Sequence, residues 1–216
     1  MSPRLVLPRL YVIVDAAVVT IPVYDCARRL AEAGVRLLQY RHKKAPAREL
    51  LCSSRELASL LIPCGVSFVV NDRPDVAVLA GASGVHVGQE DLEVESAREV
   101  IGAEKWVGIS THNLEQFMAA AASSADYIAV GPVFATSSKA NPDPVVGLEL
   151  VRKARGLTDK PIVAIGGITL DTAASIIKAG ADSVAVISDI VGAVHPGDRA
   201  RQYLESLDAA DKTAAN

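Results

Sequence analysis

One repeat constrains this chain more than any other feature. A short apolar run, rich in β-branched residues, is followed by a helix-sized segment, and the pair recurs eight times. The runs are Leu10–Val14, Val35–Leu38, Ser67–Val70, Gly84–Gly88, Trp106–Ile109, Tyr127–Val130, Pro161–Ile165 and Ser183–Ile187. Runs this continuously apolar read as strands buried on both faces, the pattern of a parallel sheet covered by helices. Helical segments are expected at Pro22–Gly34, Pro46–Ile62, Pro74–Gly81, Val94–Ile101, Leu114–Ala122, Gly147–Arg155, Thr172–Gly180 and Asp198–Leu207. The clearest is Pro46–Ile62, where Leu50, Leu57 and Leu61, with Leu51 and Ala58 beside them, form one stripe. An Ala-Gly pair closes three of the helices, at Ala33-Gly34, Ala80-Gly81 and Ala179-Gly180. Strand–helix units at a spacing of about 25 residues predict an α/β fold, a (β/α)8 TIM barrel in a single domain over residues 1–207. Residues 208–216 read as a polar, frayed tail. The competing open, doubly wound sheet would need three spaced glycines after its first strand to bind a dinucleotide, and these are absent.

In such a barrel the carboxyl ends of all strands face the same way, so the residues that follow each run share one mouth. The third run stops at Asn71-Asp72-Arg73 and the fourth at Gln89-Glu90-Asp91. Asp72 and Asp91 can therefore face one cavity. Two carboxylates there repel unless a positive group lies between them, and hard divalent cations prefer carboxylate oxygens. The pair reads as a Mg2+ site that holds a phosphorylated substrate. The alternative is that Asp72 caps the next helix and Asp91 sits in a solvated turn.

The second run opens into Gln39-Tyr40-Arg41-His42-Lys43-Lys44. Gln39, Arg41 and Lys43 alternate, so in extended chain they point to one side and form an anion clamp. A solvated basic loop is the other reading. After the sixth run, Thr136, Ser138 and Lys139 supply two hydroxyls and a cation, either as a ligand-binding lid or as a plain Ser/Thr loop. Gly166-Gly167 lets backbone N–H groups approach an anion, and Ile187-Ser188 adds more at the eighth strand end, the address where such barrels seat phosphate. His86 lies within a strand and reads as a hydrogen-bonded interior residue; His112 lies near the mouth with its role open; His195 reads as structural or exposed.

Composition excludes several classes. The net charge of −3 and the lack of a basic, aromatic-laced stripe argue against nucleic acid. No apolar run approaches bilayer length, and Met1–Leu10 has no apolar region of a signal peptide. Cys26, Cys52 and Cys64 show no C-x-x-C spacing; they read as small buried groups in a reducing cytoplasm. No Ser-His-Asp order or H-E-x-x-H spacing points to a hydrolase.

Taken in order, these motifs resemble the thiamine-phosphate synthase family. The matching stretches are Leu38–Lys43, Asn71–Arg73, Gly84–Asp91, Gly108–His112, Asp126–Phe134 and Val163–Ile168, which span most of the chain. The resemblance implies a transferase of thiamine biosynthesis. Such an enzyme joins a hydroxymethylpyrimidine diphosphate to a thiazole phosphate and releases pyrophosphate. By that likeness Asp72 and Asp91 bind Mg2+. Gln39, Tyr40, Arg41, His42, Lys43, Asn71, Ser110 and Lys139 hold the pyrimidine diphosphate. Thr136, Ser137, Ser138, Gly167, Ile187 and Ser188 hold the thiazole phosphate, and Arg41, Lys43, Ser110 and Lys139 assist the chemistry. The implied partners are these two small molecules, with no nucleic acid and no membrane; a homo-oligomer is left open. Two departures stand out. Thr136-Ser137-Ser138-Lys139 keeps the hydroxyls of the family loop but loses a basic residue, and Tyr40 replaces an aliphatic one. The rival readings are a thiazole tautomerase of the same superfamily and a non-catalytic barrel that binds a phosphorylated ligand.

Overall fold

The computed structural model describes residues 5–136 and 143–214. Its strands are β1 (Leu10–Asp15), β2 (Leu37–Arg41), β3 (Ser67–Asn71), β4 (Gly84–Val87), β5 (Trp106–Thr111), β6 (Tyr127–Val130), β7 (Ile162–Ala164) and β8 (Ser183–Val186). They close into a barrel in chain order, each parallel to the next, with β1 against β8. The helices are α1 (Val23–Glu32), α2 (Ala47–Leu61), α3 (Pro74–Leu79), α4 (Val94–Ile101), α5 (Leu114–Ala122), α6 (Gly147–Arg155), α7 (Leu170–Lys178), α8 (Ser188–Val191) and α9 (Pro196–Ala214). The expected (β/α)8 barrel is the fold observed.

Strand alternation sorts the core into two layers. Leu10, Val12 and Val14 of β1, and Leu38 and Tyr40 of β2, face the surrounding helices. Tyr11, Leu37, Val69, Tyr127, Val163 and Ala185 fill the barrel instead. Eight strands enclose only enough space for side chains, so large interior residues need small neighbours. Gly108 is one of these: a Cβ there would lie 2.1 Å from Cζ of Tyr127. At the amino end of the barrel, β4, β6 and β8 each begin beside a side chain that caps the strand before. Ser83 Oγ accepts from Phe68 N–H, Asp126 from Val107 N–H and Asp182 from Ile162 N–H. Arg98 pairs with Asp126, and Arg155 with Asp182. These caps satisfy backbone donors that a parallel strand would otherwise leave unpaired at its start. The repeated Ala-Gly helix ends have the same cause throughout. Gly34, Gly81 and Gly180 adopt φ of 104°, 70° and 109°, a turn that a side chain resists.

Four expectations need correction. Strand β2 starts at Leu37 and runs on to Arg41, so Gln39, Tyr40 and Arg41 are strand residues, not loop. A short helix, α8, follows β8 and was not expected. The final helix does not end at Leu207: it continues to Ala214, so the tail is helical over its described part. Leu207 and Ala210 stay buried as α9 packs on α7, α1 and α8, and alanines at 209, 210 and 214 favour helix. Finally, Cys26 is buried, but Cys52 and Cys64 are exposed. Cys52 lies off the buried stripe of α2, and Cys64 lies in the 3-10 turn Ile62–Cys64 that follows it.

Candidate active site

The carboxyl ends of the strands bring Arg41, Asn71, Asp72, Asp91 and Ser110 to one mouth. Asp72 lies just past β3 and Asp91 just past β4, and these strands pair directly, Asn71 opposite His86. Among the described residues Asp72 is the one non-glycine with positive φ, at 62°. Asp tolerates that conformation better than most residues. Two backbone bonds hold the turn: Asp72 N–H donates to His86 O at 2.7 Å, and Arg73 N–H to Asn71 O at 2.8 Å. Asp91 is held from below, its Oδ2 accepting from Gly88 N–H at 2.8 Å.

The two carboxyls come within hydrogen-bonding reach of each other. Burial, then the hydrogen bond and charge of Asp91, push the Asp72 carboxyl up from 3.8 to about 6, although Lys43 opposes the shift. Lys43 Nζ stands 3.1 Å from Asp72 Oδ2. No third His, Cys, Asp or Glu completes a metal cluster among the described residues. Two carboxylates and no more suit Mg2+, which keeps several coordination positions for water and ligand phosphate oxygens. The residues present therefore fit that ion.

The cationic side of the mouth comes from β2. Arg41 is paired with Asp15, the last residue of β1, which is 2 % exposed. Asp15 Oδ1 also accepts from Ala17 N–H at 2.9 Å. Reading the sequence missed this carboxylate, although its signal is the same as that of Asp72: an acidic residue closing an apolar run. Gln39 lies deeper, 1 % exposed, and donates from Nε2 to Tyr11 Oη at 2.8 Å. Tyr40 and His42 touch each other. Strand alternation turns Tyr40 outward into the strand–helix layer, where its hydroxyl meets His42 Nδ1 at 3.2 Å. Tyr40 is 2 % exposed in this layer, whereas the His42 ring stays part-exposed, 3.9 Å from Glu49 Oε1.

Ser110 meets His86 Nε2 at 2.9 Å through its hydroxyl, and its carbonyl accepts from Gln89 Nε2 at 2.6 Å. His86 is the interior, hydrogen-bonded residue that its strand position implied. His112, whose role was open, bridges two ends of the segment after β6. Its Nδ1 lies 2.6 Å from Gly131 O and its Nε2 lies 3.5 Å from Asp143 Oδ2. Thr136 is half-buried in this segment, whereas Ser137, Ser138 and Lys139 lie outside the described residues.

Gly166 and Gly167 have φ of 89° and 64°. A Cβ on Gly167 would lie 2.4 Å from Ala135 O, and one on Gly166 would lie 2.4 Å from Pro132 Cβ. Both glycines thus let the loop after β7 press against the loop after β6, a packing role beside any contact with an anion. Ile187 precedes α8, and Ser188 is its first residue. Short helices of this kind accompany phosphate seats in such barrels.

Residues 10–190 match the family model described as thiamine monophosphate synthase. The chain is 52 % identical to the thiamine-phosphate synthase of Koribacter versatilis, over 96 % of this chain and 99 % of that one. It is 41 % identical to that of Moorella thermoacetica, over 85 % and 88 %. A solved thiamine phosphate pyrophosphorylase from Pyrococcus furiosus superposes with a TM-score of 0.85 at 34 % identity, covering 94 % of this chain and 96 % of that one. A 3-hexulose-6-phosphate synthase, 19 % identical with a TM-score of 0.64, shares the fold alone. Barrel, mouth and matches converge, and the chain belongs to the thiamine monophosphate synthase family.

Proposed function

We propose that this chain, working in the cytoplasm, joins a 4-amino-2-methyl-5-hydroxymethylpyrimidine diphosphate to a phosphoethyl-thiazole, giving thiamine phosphate and pyrophosphate. The observation that carries the reading is the meeting of Asp72 and Asp91 beside Lys43 at the mouth. Two carboxylates with an ammonium beside them suit a cation-bound diphosphate better than any neutral ligand. Mg2+, when bound by this pair, would supply positive charge to the diphosphate as it leaves.

The protein groups divide the remaining work. Arg41, Lys43 and Lys139 offset the charge that grows on the leaving oxygens. The stretch Gln39 to Lys43, with Asn71, Ser110 and Lys139, holds the pyrimidine diphosphate, and Thr136, Ser137, Ser138, Gly167, Ile187 and Ser188 hold the thiazole phosphate. The bond between the pyrimidine methylene and its diphosphate oxygen breaks, and both electrons leave with the oxygen. The pyrimidine amino group donates electron density to the resulting cation. The thiazole nitrogen lone pair then forms the new carbon–nitrogen bond. No proton has to be abstracted, which accords with a mouth built from charges and hydroxyls without a dedicated base. The test mixes the purified chain, both substrates and Mg2+, oxidises the product to fluorescent thiochrome and measures pyrophosphate. Equal amounts of the two support the reading; no thiochrome under these conditions sinks it.

A further inference from the structure

Beneath the mouth, five polar side chains from five strands form an unbroken run through the barrel interior. Gln39 Nε2 lies 2.8 Å from Tyr11 Oη, Tyr11 Oη 3.1 Å from Tyr127 Oη, Tyr127 Oη 3.0 Å from His86 Nδ1, and His86 Nε2 2.9 Å from Ser110 Oγ. The first four residues are each at most 8 % exposed. Filling a barrel needs no such run, since Val, Ile and Leu do it without unmet hydrogen bonds. The site is also built to hold it. Gly108 leaves the space that the Tyr127 ring occupies, and the His86 and Tyr127 rings stack at 5.5 Å.

Counting protons gives the run a direction. Each hydroxyl carries one proton, and a neutral imidazole carries one on its two nitrogens. Burial holds both phenols well above their ordinary range, so each stays a donor. Gln39 Nε2 donates to Tyr11, so the Tyr11 proton goes to Tyr127 and the Tyr127 proton to His86 Nδ1. A neutral His86 whose Nδ1 accepts from Tyr127 carries its own proton on Nε2 and donates it to Ser110. The Ser110 hydroxyl, already accepting, has its own proton to offer toward the mouth. In the opposite direction Tyr11 would accept twice, and its proton would lack an acceptor at a site 1 % exposed.

We propose that this buried run is a polarised support, in which Tyr127 and His86 are positioning residues that fix the His86 Nε2–H tautomer and make Ser110 a hydrogen-bond donor to an anionic oxygen of the ligand. The first half concerns the protein alone; the second rests on the reading of Ser110 as a ligand contact.

Two measurements separate the halves. Nitrogen-15 NMR of histidine-labelled full-length protein, with the signal assigned through His86→Gln, reads the tautomer without any substrate. Neutral His86 protonated at Nε2 is expected, and a Tyr127→Phe variant should lose that preference. Protonation at Nδ1 overturns the proposal. Kinetics then test the link to Ser110. Tyr127→Phe and Ser110→Ala should each lower kcat about 5-fold or more, the scale of one hydrogen bond, with the smaller change in KM. The double variant should be no worse than Ser110→Ala, because Tyr127 acts only through that hydroxyl. His86→Gln, which retains an amide donor near the Nε2 position, should recover more kcat than His86→Asn. Multiplicative losses in the double variant mean a separate packing role and overturn the positioning claim. Wild-type activity in Ser110→Ala removes the ligand contact itself and overturns the second half, whatever the tautomer.

Discussion

Replacing Asp72 by Asn should make the metal-free protein more stable at neutral pH, although it removes an ion pair. Burial and the adjacent Asp91 hold the Asp72 carboxyl at about 6 against an ordinary 3.8. The folded chain therefore binds this proton more tightly than the unfolded chain does. That contribution is complete below the unfolded value and is lost as pH rises through about 6. A difference of this size corresponds to about 3 kcal/mol of unfavourable charging. Asp72 keeps some solvent contact, so screening reduces the figure to about 1–2 kcal/mol. The lost partner, Lys43, is half exposed and contributes little. Asn is the suitable replacement because it is nearly isosteric and tolerates the φ of 62°. The assay is thermal unfolding with chelator, compared between about pH 4 and pH 8. The variant should melt about 3–6 °C above wild type at the higher pH, the shift expected for a chain of this size, and close to it at the lower. Adding about 5 mM Mg2+ should raise wild type toward the variant and leave the variant unmoved. A variant less stable at high pH, or a gap that does not change with pH, would refute the argument that the two carboxylates oppose each other.

Three further outcomes are expected. Asp91→Ala should abolish most Mg2+-dependent turnover while circular dichroism stays unchanged; full activity at saturating substrate and metal counts against the metal role. Ser188→Asp should raise KM for the thiazole phosphate more than for the pyrimidine diphosphate through charge repulsion, read in paired substrate titrations; equal effects argue against this seat. Gly108→Ala should cost about 1–3 kcal/mol or more in urea unfolding, because its methyl would collide with the Tyr127 ring. An unchanged midpoint would show that the interior is looser than it looks.

The barrel was legible because its evidence is local. Each strand is a continuous apolar run and each helix carries its own stripe and stop, so eight units could be counted without knowing any contact. Placing Asp72 and Asp91 on one mouth needed only the rule that parallel strands end together. Residues whose roles depend on a distant partner were harder to read. Nothing around Asp15 says that Arg41 will meet it, since their pairing comes from the register of β1 on β2. His86 could be read as an interior, hydrogen-bonded residue, but its partners could not; Tyr11 and Tyr127 looked like ordinary strand residues, and the run of hydrogen bonds exists only once five strands enclose it. The alternation that aligned Gln39 with Arg41 also turns Tyr40 into the strand–helix layer, which a motif taken as one block conceals. Exposed Cys52 and Cys64 show the same limit, because side-chain depth on a helix depends on what packs against it.

The two cations of β2 and its following loop are held in different ways, and the difference bears on how a diphosphate would bind. Arg41 pairs with a nearly buried carboxylate, so leaving Asp15 would strand a charge away from water, a costly change. In the proposed function Arg41 would therefore be a fixed donor, with its remaining N–H groups open to a diphosphate while its salt bridge persists. Lys43 pairs with a more accessible carboxylate and is itself half exposed, so releasing it costs little. Asp72 is also the carboxylate that a cation would claim. Binding the cation would thus deprive Lys43 of its partner and free its ammonium for the diphosphate. By reciprocity, a diphosphate that draws Lys43 away leaves Asp72 and Asp91 repelling each other and so more receptive to the cation. If the proposed cation and diphosphate bind here, the acidic pair and the lysine beside it would act as one coupled unit, each charged ligand preparing the place of the other.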